Sequence, residues 1–220
     1  MSGFVQIDSW HTNRIVRAFF IVALLRFGFR GIEGLTFHKI LGTGKGDTFT
    51  LNDADPRHWA LLSVWNSEVN PSFERRLFIR AMNSIASKHR RLSLLPISAR
   101  GTWAGTQPFA TQPMQQSESK ILVITRARIK VRWWRYFYSQ VPPVIVDLQK
   151  ADGLQERFGI GEAPVGLQGT LSIWNDNDSV KNFAYRTAAH QDVMDKTLTL
   201  KWYSEELFAR FEVLRDEDLQ

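Results

Sequence analysis

Residues 169–175, which read Gly-Thr-Leu-Ser-Ile-Trp-Asn, repeat a stretch from earlier in the chain. Residues 60–66 read Ala-Leu-Leu-Ser-Val-Trp-Asn, so Leu, Ser, Trp and Asn recur in the same order. A Gly-x-Gly stretch precedes each of them. Residues 41–44 read Leu-Gly-Thr-Gly, and residues 158–161 read Phe-Gly-Ile-Gly. Internal similarity at two matched places indicates a duplicated unit.

The duplication divides the chain near its middle. Residues 111–119 are polar and contain proline, as expected of a linker. The sequence therefore predicts an N-terminal half over residues 1–112 and a C-terminal half over residues 120–220, packed together as one compact unit. The chain has 220 residues, which suffices for one substantial domain.

Each half shows the same order of predicted elements: strand, helix, two strands, helix, strand. This βαββαβ order is that of a ferredoxin-like fold. The clearest predictions are strands at 4–10, 93–104, 121–131 and 203–213 and helices at 13–29, 71–90, 133–150 and 179–196. Two such units can pair their sheets. The predicted fold class is therefore α+β, with tandem ferredoxin-like repeats forming a dimeric-α/β-barrel-like domain.

The Gly-x-Gly stretches fit this fold better than they fit a phosphate-binding loop. Neither completes the Gly-x-Gly-x-x-Gly pattern, and Lys45 is followed by Gly46 rather than by Ser or Thr. Glycines that let a strand bend or a barrel close are the favoured explanation.

Composition excludes several kinds of site. The chain contains no cysteine, which rules out disulfides, iron–sulfur clusters, thiolate-ligated haem and cysteine-based zinc sites. The formal net charge is +6, and solvated helix faces usually explain basic clusters such as those found here. The clusters are Arg14, Arg17, Arg26 and Arg30; Lys88, Arg90 and Arg91; and Arg126, Arg128, Lys130, Arg132 and Arg135. No zinc-finger or aromatic RNA-binding pattern accompanies them, so nucleic acid is not expected as a partner.

A short apolar run near the N-terminus leaves two interpretations open. Residues 18–25 are apolar throughout, and arginines flank them on both sides. The run is far too short to span a bilayer, which takes about 20 residues. A helix here would either cover a sheet or lie on an anionic membrane surface. We therefore expect a cytoplasmic protein, with peripheral contact at the inner face of the membrane as an open alternative.

Histidines are few, and they form no familiar catalytic or metal-binding pair. Glu-x-x-His, His-x-x-x-His and His-x-Glu are all missing from the sequence, so di-iron, zincin and deaminase sites lack their ligands. We expect His89 to be solvated, because it lies among Lys88, Arg90 and Arg91. His58 has no obvious partner.

His190 differs because it lies on the apolar stripe of the predicted helix 179–196. Apolar or small residues recur there at spacings of three and four. The stripe consists of Val180, Phe183, Ala184, Thr187, His190 and Met194. The histidine is therefore predicted to face the sheet. It is either a core histidine bonded to a carbonyl or the ligand of a flat cofactor, and imidazole is the natural haem ligand once thiolate is excluded.

Several motifs resemble the spheroidene monooxygenase family, and together they cover nearly the whole chain. The most specific are Gly-Ile-Gly-Glu-Ala-Pro at 159–164 and Trp-Tyr-Ser-Glu-Glu-Leu-Phe-Ala-Arg-Phe at 202–211. The others are Leu-Gly-Thr-Gly at 41–44, His-Trp-Ala at 58–60, Gly-Thr-Trp-Ala-Gly at 101–105 with Pro108 and Phe109, Thr-Arg-Ala at 125–127, and the rest of the segment 183–211.

The resemblance implies a cysteine-free haem enzyme of carotenoid biosynthesis. Such an enzyme inserts oxygen at an allylic carbon of an acyclic carotenoid to give a keto group, using O2 and reduced ferredoxin. The implied cofactor is haem b, with iron held by His190. Arg126 or Arg186 is then expected to pair with a haem propionate, and a solvated surface arginine is the alternative for each.

Two other functions stay open at this point. Tandem ferredoxin-like folds that hold haem through one histidine are also similar to the aldoxime dehydratase and chlorite dismutase families, so a haem lyase of the aldoxime dehydratase type is one alternative. The other is a non-catalytic protein that binds haem or an apolar ligand, since a fold alone does not imply catalysis.

Overall fold

A computed structural model describes residues 3–47, 53–116, 118–133, 135–136, 145, 147–162, 169–186, 200 and 202–219. The side chains at 131, 185 and 186 are outside this description.

The first half of the chain contains four strands and two helices. They are β1 (Phe4–His11), α1 (Ile15–Leu25), β2 (Leu35–Gly44), β3 (Ala54–Trp65), α2 (Leu77–Ile85) and β4 (Lys88–Gly101). In the second half, residues 135–136, 145, 147–149 and 200 are helical. The elements there whose bounds the structure describes are four strands, a 3₁₀ turn and a helix. They are β5 (Ile121–Ile129), the turn (Val131–Trp133), β6 (Leu154–Glu162), β7 (Gly169–Trp174), α3 (Asn177–Arg186) and β8 (Tyr203–Asp218).

All eight strands form one closed antiparallel barrel in the order β1-β3-β2-β6-β7-β5-β8-β4. Within each half, the order 4-1-3-2 is that of a ferredoxin-like unit. The two units join where β2 pairs with β6 and where β4 pairs with β8. The predicted tandem ferredoxin-like α+β fold is confirmed.

The two Gly-x-Gly stretches meet at one of these seams. Gly42 lies opposite Gly161, and Gly44 lies opposite Gly159, in the β2–β6 ladder. An irregularity of β2 follows Gly42, where its pairing with β3 shifts register. Both stretches therefore lie at a seam where the two halves of the barrel join.

The inside of the barrel is filled with alternate residues from every strand, as period-two patterning requires. Its core includes Ile7, Leu62, Leu94, Ile124, Ile160, Leu171 and Phe211, none more than 4% exposed. A second apolar layer lies outside the first half of the barrel, where α1 and α2 pack on the sheet through Trp10, Trp65, Phe73 and Phe78. On the second half, α3 packs through Val180 and Phe183, and the Phe183 ring lies 5.5 Å from that of Trp174.

The region around α2 differs from the prediction of a helix over 71–90. The helix ends at Ile85, because Ala86 is already extended (φ −68°, ψ 144°), and β4 begins at Lys88. His89 therefore lies in a strand and is 3% exposed, with Nε2 donating a hydrogen bond of 2.9 Å to Asp8. The expectation that His89 is solvated is wrong, since the alternation of β4 turns it beneath α2 and against the Trp10 ring.

The cluster of Lys88, Arg90 and Arg91 is likewise not a solvated helix face. Arg90 pairs with Asp216 and Glu156, and Arg91 pairs with Asp8 and Glu74. These ion pairs join β4 to β1 through Asp8, to β8 through Asp216, to β6 through Glu156 and to the segment before α2 through Glu74. Within the described ranges, every helix is too short or too polar to span a bilayer.

Candidate functional site

Arg126 lies inside the barrel, near one end. It follows Leu122 and Ile124 at two-residue intervals on β5, so it shares their inward face. Its side chain is only 2% exposed. Nη1 donates a hydrogen bond of 2.7 Å to Glu205, and Nη2 donates one of 2.8 Å to Glu162. One guanidinium therefore joins β5 to β8 and to β6.

Glu162 gathers three donors at the last position of β6. Besides Arg126, Lys39 on β2 donates to Oε2 at 2.7 Å, and the indole nitrogen of Trp103 donates to Oε1 at 2.8 Å. The Trp103 ring also lies under the Arg126 guanidinium, 5.0 Å from its carbon, in a cation–π arrangement. Lys39 and Trp103 come from the first half, so the contacts at Glu162 connect the two halves.

Glu205 is held by the loop that follows β4. Its Oε1 accepts hydrogen bonds from the Gly105 backbone N–H at 2.8 Å and from the Thr102 hydroxyl at 3.3 Å. The loop begins at Gly101, whose φ is +91° and where a Cβ would collide with the Glu206 carbonyl oxygen. Only glycine fits there, because any side chain would meet the backbone of β8.

The charges of this group balance: two cations, Arg126 and Lys39, face two carboxylates, Glu162 and Glu205. Burial would raise the pKa of Glu205, but the Gly105 N–H and Arg126 outweigh it and lower the pKa to about 2. Burial acts in the same direction on Glu162, yet hydrogen bonds from Lys39 and Trp103 bring its pKa below the usual value. Both carboxylates are therefore ionised at neutral pH. They suit holding the barrel end together rather than donating protons.

We call Lys39, Trp103, Arg126, Glu162 and Glu205 the barrel-end network. Four of its members fall in the motifs that carry the family resemblance, at 101–105, 125–127, 159–164 and 202–211. The structure thus brings four separate motifs to one place. Sequence reasoning named Arg126 but missed its partners. The available signal was a charged residue ending an otherwise apolar period-two pattern, as Glu162 does after Ile160.

Among the residues predicted for the site, Arg126 is therefore fully engaged. Its two terminal amines bind glutamates, so pairing with a haem propionate would require one of these contacts to open. Arg186 is the last residue of α3, and its side chain is outside the described part of the structure. His190 also lies outside the described residues.

A cleft of about 520 Å³ lies beside α3, on the outside of the second half of the barrel. Its lining consists of Asp147, Lys150, Ala151, Asp152, Ser179, Asn182 and Phe183. Among the described residues, no three histidine or carboxylate side chains are grouped as metal ligands. The cleft therefore offers no metal site of its own within that part of the chain. It borders α3, which precedes His190 in the sequence.

Comparison with known proteins identifies relatives of this chain. It is 31% identical over 191 residues to a spheroidene monooxygenase of Rhodobacter capsulatus, covering 82% of this chain and 76% of that protein. It is 28% identical to spheroidene monooxygenases of Cereibacter sphaeroides, of which it spans 59%, and of Rubrivivax gelatinosus, of which it spans 70%. No protein-family profile matches the chain.

Solved structures agree on the fold. Two aldoxime dehydratase structures, one in complex with butyraldoxime, align with TM-scores of 0.57 and 0.58 over 96% of this chain and 81% and 79% of theirs, at 9% and 10% identity. That likeness concerns the fold alone. The named relatives define an oxidoreductase enzyme, and its fold is a tandem ferredoxin-like barrel. The chain belongs to the spheroidene monooxygenase family.

Proposed function

We propose that this protein is a cytoplasmic, haem b-dependent monooxygenase that introduces a keto oxygen into an acyclic carotenoid. O2 is the oxidant and a ferredoxin-type protein the electron donor. The observation that carries the proposal is the 31% identity, over most of both chains, to a protein named spheroidene monooxygenase. A carotenoid is a long apolar chain, so it also requires an apolar binding surface.

His190 is the proposed axial ligand of the haem iron. In α3, Val180 and Phe183 pack toward the sheet, beside Trp174. A helix that continued with the same repeat would carry position 190 on that face, because spacings of three, four and three separate 180, 183, 187 and 190. Imidazole suits the group because the chain has no thiolate to offer. When bound, haem would supply the iron that binds and activates dioxygen.

Arg186 is the proposed partner of a haem propionate. It precedes His190 by four positions, which is about one helical turn, so both side chains would lie on adjacent parts of one helix surface. A guanidinium binds a carboxylate through two parallel hydrogen bonds, which would fix the orientation of the ring. Arg126 could bind a propionate only if one of its two glutamates were released. Its proposed role is instead to position those glutamates.

The barrel-end network is proposed to fix two segments next to the haem site. Glu162 directly precedes residues 163–168, and Glu205 lies shortly after residues 187–201, which include His190. Because Arg126 ties these two glutamates together, it holds the strand ends from which both segments run. The network thereby orients the segments without contacting the reacting atoms.

The chemistry explains why an electron donor belongs to the proposal. Conversion of a methylene to a keto group requires two oxygen insertions at one carbon, followed by loss of water. Each insertion places one oxygen atom in the substrate and reduces the other to water, at the expense of two electrons and two protons. The chain has no cysteine with which to hold its own iron–sulfur cluster, so the electrons must come from a partner or a bound reductant.

Haem binding through His190 is tested by absorption spectroscopy of protein produced with a haem supply. We expect a Soret band in the wild type and its loss in His190→Ala, with the far-ultraviolet circular dichroism unchanged. His58→Ala is the matched control, because His58 lies on β3 in the first half, with its ring against Phe158, and has no proposed role. No Soret band in the folded wild type, or an equal band in His190→Ala, would refute the ligand assignment.

The two alternatives have different requirements. An aldoxime dehydratase reaction needs neither dioxygen nor a net electron supply, and the fold likeness to those enzymes does not favour it over oxygenation. Incubation with carotenoid, O2 and a ferredoxin system should yield a keto product, and anaerobic incubation with aldoximes should yield none. A purely binding protein would retain its cellular role in the His190→Ala variant, whereas the proposal predicts loss of ketocarotenoid.

A further inference from the structure

Helix α1 is apolar on nearly every side, although only one side packs against the protein. Ala18 and Val22 are buried against the first half of the barrel. On the opposite side, Val16 is 67% exposed, Phe20 62% and Leu24 72%. Two further residues are exposed as well: Phe19, whose ring also contacts that of Trp59 at 5.3 Å, and Phe27, which lies two residues after the end of the helix. We call Val16, Phe19, Phe20, Leu24 and Phe27 the outer face of α1.

This exposure is concentrated rather than scattered. Nine large apolar side chains are exposed in the described part of the chain, and five of them form the outer face of α1. A sixth, Leu77, begins α2, the helix that packs beside α1. Single exposed apolar residues are ordinary, but a contiguous group on one helix usually marks a surface that is covered in the working protein. A helix that is apolar all round is normally covered on both sides.

The rim of this face carries a single kind of charge. Arg14, Arg17, Arg26 and Arg30 are all exposed, and the sequence contains no acidic residue between Asp8 and Glu33. The Arg26 guanidinium lies 4.7 Å from the centre of the Phe27 ring, and that of Arg30 lies 5.8 Å from it. Long side chains with apolar stems can lie along an apolar layer while their heads reach the water boundary.

These features discriminate among possible occupants. A second copy of the chain, packed face to face about a twofold axis, would bring arginines against arginines with no acidic residue of α1 to compensate. A layer of anionic phospholipid supplies both requirements at once: acyl chains for the aromatic rings and phosphates for the guanidinium groups. The eleven residues of α1 extend only about 16 Å, so the helix would lie in the plane of the surface rather than cross it.

We propose that the outer face of α1 docks this protein onto an anionic phospholipid bilayer, with Phe20 and Leu24 at the boundary between headgroups and acyl chains. The contact would give the enzyme access to an apolar substrate dissolved in the membrane. It depends on neither haem nor the substrate, so it can fail while the proposed reaction holds, and the reverse is also true.

Co-sedimentation of the full-length protein with vesicles tests this contact. Vesicles of equimolar phosphatidylglycerol and phosphatidylcholine should bind the wild type, and binding should weaken in high salt and on pure phosphatidylcholine. The double variant Phe20→Ser/Leu24→Ser and the double variant Arg14→Glu/Arg17→Glu should each bind at least about tenfold more weakly. All four positions are exposed, so both variants should keep the wild-type circular dichroism and melting temperature.

Matched controls lie elsewhere on the surface. Leu214→Ser/Leu219→Ser removes two exposed leucines from the end of β8, and Arg132→Glu reverses an exposed charge in the second half. Both should bind vesicles like the wild type. Equal binding by all variants, or none by the wild type, would overturn the proposal. A wild type that is dimeric in solution and becomes monomeric in Phe20→Ser/Leu24→Ser would assign the face to a second copy instead.

Discussion

Replacing Arg126 with methionine keeps most of the side-chain volume but removes the cation that two glutamates share. Glu205 is only 10% exposed, and its pKa lies at about 2 rather than at the ordinary value of 4.5. At 1.36 kcal/mol for each pKa unit, that difference corresponds to about 3 kcal/mol of folding stability at neutral pH. The Gly105 N–H accounts for part of this stabilisation. Arg126 makes a further contribution, however, because it also pairs with Glu162. We therefore expect Arg126→Met to cost about 3 kcal/mol, within the range found when one partner of a buried ion pair is removed.

Equilibrium urea unfolding at pH 7, followed by tryptophan fluorescence, measures this loss. Arg128→Met is the matched control, since Arg128 lies two positions further along β5 and is exposed. Its replacement should change the free energy of unfolding by no more than about 0.5 kcal/mol. A loss below about 1 kcal/mol in Arg126→Met, or equal losses in both variants, would refute the role given to the barrel-end network.

Lowering the pH should reduce the difference in the free energy of unfolding between the wild type and Arg126→Met. The pKa of Glu205 is lower in the folded protein than in the unfolded chain, so its contribution is complete above about pH 4.5 and disappears as the pH falls toward about 2. The wild type should therefore lose stability over that interval. Arg126→Met should lose less, because the pKa of its Glu205 is closer to the ordinary value. A difference in the free energy of unfolding that stays constant from pH 7 to pH 3 would contradict this reasoning.

Three further substitutions test the close approach at Gly101, with Gly105 for comparison, and the buried hydrogen bonds of Asp8. Gly101→Ala should cost at least about 2 kcal/mol of folding stability, because its φ is +91° and the new Cβ would meet the Glu206 carbonyl. Gly105→Ala should cost roughly 1 kcal/mol, because its φ is +76° but the space around it is open. Thermal and urea unfolding of both variants would show the difference. Asp8→Asn should cost about 3 kcal/mol by urea unfolding, because Asp8 is fully buried and accepts hydrogen bonds from Gln6, His89 and Arg91; a loss below about 1 kcal/mol would mean that these contacts are dispensable.

The fold could be predicted because its signals are local and repeated. The Ser-x-Trp-Asn endings of β3 and β7 and the two Gly-x-Gly stretches each occur twice, and the strands between them follow a period of two. The sequence indicated that the two units pair their sheets, whereas the register that places Gly42 opposite Gly161 came from the structure.

Features that depend on contacts between distant residues could not be predicted in this way. His89 follows a helix and three of its neighbours are basic, which suggested a solvated position. Its actual partner, Asp8, is 81 positions away on another strand. The barrel-end network similarly joins residues from β2, the loop after β4, β5, β6 and β8, so no local spacing shows which of these residues meet. The motifs of the family resemblance contain four of its five members, and Lys39 lies outside them.

The most direct test of the central claim is the mass of the carotenoid product formed under ¹⁸O₂. The haem-loaded protein would be supplied with an acyclic carotenoid, a ferredoxin and its reductase, and the product would be extracted rapidly to limit exchange of the keto oxygen with water. The account predicts a ketocarotenoid that carries ¹⁸O from the gas and an unlabelled one when ¹⁸O is supplied only in the water. Label entering from water alone, or no oxygenated product from a haem-loaded protein, would contradict a monooxygenase function.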